Sequence, residues 1–170
     1  MAAVDPIAYN SLCKLFPALT AKQVTNTCFY SLGANYSETA TLQELSSAAV
    51  RRSLELTQKN LKVPTLPNVK TIFWSRFVLR QIWIKYHLHD VKDAFAFSCL
   101  SHIFPKLTNE QIACCVLLSG GHTRDYLMNF MNRSSEIISQ LIDGSITRLE
   151  VGTEFMLKIY VTSCCINDLS

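Results

Sequence analysis

The chain has 170 residues, 49% of them hydrophobic and 17% charged, with a formal net charge of +3. This is too apolar for a disordered segment, and no apolar run approaches the ~18 residues a membrane-spanning helix requires. Seven cysteines, with no C-x-x-C among them, form no disulfide or zinc framework; with no basic-then-apolar leader in MAAVDPIAYN, they read as reduced core thiols of a cytoplasmic protein.

Taken in order, residues 6–15 are apolar enough for a packing helix. The block F-P-A-L-T follows, and Thr20 suits an N-cap. A helix through Gln23, Val24, Thr27 and Cys28 should stop at Gly33, where a residue without Cβ can turn left-handed. A short helix over about residues 37–44 leads to Ser46-Ser47, which cap a third helix with Ala49, Val50, Ser53 and Leu54 inward. The linker VPTLP opens the middle, and NVKTIFWSRFVLRQIWIKYHLHD then reads as one long helix. Its apolar residues cover more than one face; Lys70, Arg76, Arg80 and Lys85 lie toward another.

The same series then recurs. Residues 94–103 form an apolar segment, Thr108 an N-cap and Gly121 a stop. A short helix spans about residues 124–130, and Ser134-Ser135 cap a third helix with Ile137, Ile138, Leu141 and Ile142 inward. Shifting the chain by 88 superposes residues 5–55 on 93–143 without a gap, and twelve of the 51 pairs are identical. They include Phe16/Phe104, Pro17/Pro105, Thr20/Thr108, Gln23/Gln111, Gly33/Gly121, Ser46/Ser134 and Ser47/Ser135. The tail EVGTEFMLKIYVTSCCI reads as the counterpart of the middle helix, with T-E-F-M matching T-I-F-W at a shift six residues shorter. Its Val, Ile, Tyr and Thr are also compatible with a strand. The fold expected is all-α: two tandem helix-turn-helix domains, 1–62 and 93–170, joined over 63–92 by a linker and a long apolar helix.

A helix opened by L-T and ended by Gly, a short helix, then S-x-x-x-V opening a third resembles the LuxR/FixJ/NarL-type helix-turn-helix. Leu19-Thr20, Gly33, Ser46 and Val50 carry the likeness, and Leu107-Thr108, Gly121, Ser134 and Ile138 carry it again. Thr39-Ala40 and Leu127-Met128 stand where that family has an Ile-Ala pair, and Gln23 and Gln111 where it has Glu. The resemblance implies a bacterial transcriptional regulator whose third helix lies in the DNA major groove.

The residues themselves bear on this. A groove-reading helix needs small residues at its N-terminus and long polar ones outward. The first copy supplies Ser46, Ser47 and Ala48, then Arg51, Arg52, Glu55 and Lys59. The second offers Ser135, Ser139 and Gln140, with Arg124 alongside, but Glu136 and Asp143 would repel phosphate. Residues 1–62 carry six Lys/Arg against four Asp/Glu, residues 63–92 five against one, and residues 93–170 five against eight. The electrostatic footprint is therefore expected in the first copy and the middle. The apolar excess around Phe73, Phe77 and Trp83 suggests a homodimer interface.

No phosphate-binding loop, dinucleotide fingerprint, zincin motif or nucleophile elbow occurs. His87, His89 and Asp90 sit at a helical spacing that does not bring the two histidines together, and plain core thiols suit Cys114-Cys115 better than a redox sensor. Neither an enzyme nor a cofactor is expected. Two functions stay open: a DNA-binding regulator working with double-stranded DNA, a second copy, and another regulator or RNA polymerase; or an all-helical protein–protein adaptor or anti-activator of helix-turn-helix shape. The basic first half favours the former, the acidic second half the latter.

Overall fold

A computed structural model describes residues 6–88, 91 and 93–170, with the side chains of the first three left aside. Every regular element among them is helical: α1 Pro6–Leu15, α2 Ala21–Ser31, α3 Tyr36–Gln43, α4 Ser47–Asn60, α5 Leu66–Lys85, a 3-10 helix Ala94–Leu100, α6 Asn109–Ser119, α7 Arg124–Met131, α8 Ser135–Arg148 and α9 Glu154–Leu169. The all-α expectation holds, and the tail is helix α9, not a strand. The chain divides into two compact units between Trp74 and Ser75, inside α5. Ile72 and Phe73 belong to the core of the first unit, while Val78, Leu79 and Ile82 belong to that of the second.

The helix boundaries follow from matched caps. Thr20 and Thr108 each accept the N–H of a Gln three residues on, and each Gln side chain reaches back to the Thr N–H, closing a capping box. Gly33 and Gly121 follow at φ +106° and +82°. The N–H groups of Gly33 and Ala34 bond Tyr30 and Phe29 carbonyls, and those of Gly121 and His122 bond Leu118 and Leu117 carbonyls. Both ends are Schellman motifs. Two further left-handed pairs share the 88-residue register without glycine: Glu44 with Asn132, and Lys62 with Glu150.

That register continues further than the sequence comparison carried it. Helices α5 and α9 begin 88 residues apart, at Leu66 and Glu154. Their buried positions correspond, Val69 to Leu157 and Phe73 to Val161. The T-I-F-W and T-E-F-M matching therefore selects the wrong turn: Thr153 caps α9, whereas Thr71 lies inside α5. The long helix also ends at Lys85, with His87 turning left-handed at φ 54°, so it does not run to Asp90.

In the first unit α2 and α3 both pack on α4. Phe16, Val24, Ile72 and Phe73 form one core, with Phe16 and Phe73 stacked at 5.6 Å, and Ala40, Val50 and Leu54 form a second. The second unit has the same pairing of α6 and α7 on α8, but one continuous core. There α6 is buried at every residue from Gln111 to Ser119, because α8, α9 and the 3-10 helix all pack on it. The end of α9 is held by Asp168, which takes hydrogen bonds from Lys85 Nζ at 3.0 Å and Tyr86 Oη at 2.9 Å, and lies 3.1 Å from His102 Nε2.

Candidate nucleic-acid interface

Helix α4 is placed by Val50, Leu54 and Thr57, all fully buried. This i, i+4, i+7 stripe sets the phase and leaves Ala49 exposed, contrary to the inward face expected from sequence. Ile138, Ile142 and Ser145 set α8 in the same phase, and Ile137 is turned out likewise.

Ser46 is the N-cap of α4; its Oγ accepts the N–H of Ala49. Ser47, Ala48, Arg51, Arg52 and Lys59 are exposed, so the structure brings the first-copy candidates onto one solvent side. Arg51 Nε bonds Glu55 Oε1 at 3.0 Å, an exposed i, i+4 pair worth only about 0.3–0.5 kcal/mol and easily surrendered to a phosphate. No acidic residue stands in the first turn of α4, so the positive end of its dipole is unopposed.

The second copy inverts each of these features. Glu136 occupies the place of Ala48, in the first turn of α8. Hydrogen bonds from the Ser134 hydroxyl and from its own backbone N–H hold its carboxyl below the usual range. Ser139 and Gln140 replace Arg51 and Arg52. Ser135 and Gln140 are exposed, but Ser139 is half-buried and accepts a bond from Arg124 Nη1 at 3.0 Å. Arg124 is itself paired with Glu154 at 2.9 Å. Arg124 and Ser139 thus serve the internal structure of their unit.

The middle cations are engaged as well, which narrows the expected footprint. Lys70 lies 4.3 Å over the Tyr30 ring, Arg76 donates to the Gly120 carbonyl at 2.9 Å, and Lys85 pairs with Asp168. The apolar residues of α5 do not form a common outer face either. Phe73 is 3% exposed in its own core, and Trp83 is half-buried with its ring edge-on to Phe97 at 5.5 Å. Only Phe77 of the proposed dimer residues is exposed, at 42%.

Sequence reasoning missed the group that orients α4. Asn26, 1% exposed on α2, donates to Ser53 Oγ on α4 at 2.8 Å and accepts from the Gln43 side chain at the end of α3. One side chain thus ties three helices. Its counterparts in the second copy are Cys114, Leu141 and Met131, all apolar. The aligned pairs Asn26/Cys114, Gln43/Met131 and Ser53/Leu141 were the available signal, a concerted change from polar to apolar.

Burial pushes the Cys114 thiol up to about 12 and Cys115 to about 11, so both stay protonated in the core of α6. His89 and Asp90 lie outside the described residues. No family model matches the chain, and no curated protein or solved structure was found to be similar to it.

Proposed function

We propose that the chain is a DNA-binding transcriptional regulator in which α2, α3 and α4 act as a helix-turn-helix and α4 enters the major groove of double-stranded DNA. One observation carries the reading. At equivalent positions α4 presents Ala48, Arg51 and Arg52 to solvent where α8 presents Glu136, Ser139 and Gln140. The first set leaves a dipole end open to phosphate and two guanidinium groups able to grip guanine edges or phosphates. The second places a carboxylate where phosphate would sit. In this reading α4 is the reader, Asn26 fixes its orientation, and α8 makes no base contact.

The test is titration of labelled duplex DNA with the full chain at several salt concentrations. Affinity should fall with salt, and Arg52→Ala should weaken binding by about 1–3 kcal/mol. Ala48→Glu, which imports the residue of the second copy, should weaken it as well, and Gln140→Ala should leave it unchanged. Salt-independent binding, or equal loss from Gln140→Ala and none from the first-copy changes, would refute the assignment.

A further inference from the structure

The exposed apolar surface of the second unit gathers on α9. Phe155, Met156, Ile159, Tyr160 and Ile166 are each between 38% and 49% exposed, and Leu169 extends the stripe at 36%. At 100° per residue the six fall on one side of the helix, with the small Ser163 near its middle. Leu157, Val161 and Cys165, on the opposite side, already fill the core, so the stripe is additional to what the unit needs.

We propose that this face of α9 is the contact between two copies of the chain, packed antiparallel about a two-fold axis near Ser163. Area and charge select a second copy as the occupant. At roughly 150–250 Å² per large apolar side chain, the exposed fractions amount to about 500 Å² per copy, or about 1,000 Å² for the pair. That is the lower bound for a specific interface and more than a monomer ordinarily leaves open.

The face also lacks charge. Helix α9 carries Glu154, Lys158 and Asp168. Glu154 is paired with Arg124 and Lys158, and Asp168 with Lys85, all within the unit. Across a two-fold axis each group meets its own copy or a close neighbour, so an unpaired charge there would be repelled. A neutral apolar stripe satisfies that condition and offers a charged partner nothing to pair with. With the axis near Ser163, Ile159 of one copy faces Ile166 of the other, and Met156 faces Leu169. Ser163 lets the backbones approach.

The experiment is analytical ultracentrifugation of the full chain and of Ile159→Glu and Ile166→Lys, with circular dichroism to show that each variant keeps its helix content. The wild-type chain should be a dimer at about 50 µM, since an interface at this lower limit fits micromolar affinity. Each variant alone buries an unpaired charge twice per dimer and should raise Kd by about 100-fold or more. In an equimolar mixture of the two, the introduced carboxylate of one chain stands opposite the introduced ammonium of the other, and dimer should be recovered. A monomeric wild-type chain, or variants that remain dimeric while folded, would overturn the proposal, as would a mixture that stays monomeric.

Discussion

Replacing Asn26 by alanine tests how the first unit holds α4. The side chain is 1% exposed and makes two hydrogen bonds, to Ser53 at 2.8 Å and from Gln43. Each such bond contributes about 1 kcal/mol net, and each orphaned partner adds part of its desolvation cost. Ser53 and Gln43 are only half-buried, so water recovers some of that loss. Alanine also returns about 0.5 kcal/mol of helix propensity. The expected destabilisation is therefore about 2 kcal/mol. The triple change Asn26→Cys, Gln43→Met, Ser53→Leu, which imports the apolar set of the second copy, removes all three polar groups together and should lie within about 1 kcal/mol of wild type. Urea unfolding followed by Trp74 fluorescence in a Trp83→Phe background reports on the first unit alone. Equal destabilisation by the single and triple variants would refute the argument that orphaned polar groups, and not lost volume, set the cost.

Three further outcomes are expected. Thr39 is buried with a hydroxyl that has no hydrogen-bond partner, and its counterpart is the fully buried Leu127; Thr39→Val should raise the stability of the first unit by about 1 kcal/mol, read in the same urea assay. At Gly33 a Cβ meets nothing within 4 Å, so Gly33→Ala should cost only the left-handed strain of about 1–2 kcal/mol, whereas at Gly121 it would lie 3.0 Å from an Arg76 nitrogen and thermal unfolding should show the larger loss. Burial pushes the Asp168 carboxyl up, but hydrogen bonds from Lys85, His102 and Tyr86 outweigh it and hold it below its ordinary value. A depressed carboxyl stabilises the fold above its unfolded value and loses that contribution as pH falls through the folded one, so wild type and Asp168→Asn should differ at neutral pH and converge below about pH 4 in acid-unfolding curves.

What could be read from sequence was whatever backbone conformation dictates locally. Thr20, Thr108, Gly33 and Gly121 specify caps and stops by chemistry that acts within a turn, and their 88-residue register identified the helices of both copies. The same reasoning passed over Glu44 and Asn132, because a non-glycine left-handed residue bears no local mark. The phase of α4 was set one residue off, since Thr57 gives no apolar signal yet is fully buried, whereas Ala49 gives one and is exposed. On α5 the apolar excess is real, but it is shared between two cores, a partition that depends on distant residues such as Phe16 and Phe97. The exposed arginines of α4 were legible; the Asn26 bridge beneath them depends on three helices meeting, which spacing alone does not reveal.

The polar interior of the first copy has a dynamic consequence. Asn26, Thr27, Thr39 and Ser53 stand where the second copy has Cys114, Cys115, Leu127 and Leu141, so opening α2–α4 to water forfeits less apolar burial than opening α6–α8. Amide protons of α2 should then exchange with deuterium through a partial, low-energy opening, while those of α6, buried along its length, exchange only when the whole second unit unfolds. The chain would thus carry a pliable half and a stiff half built on one helical plan, and the pliable half is the one whose third helix bears the arginines.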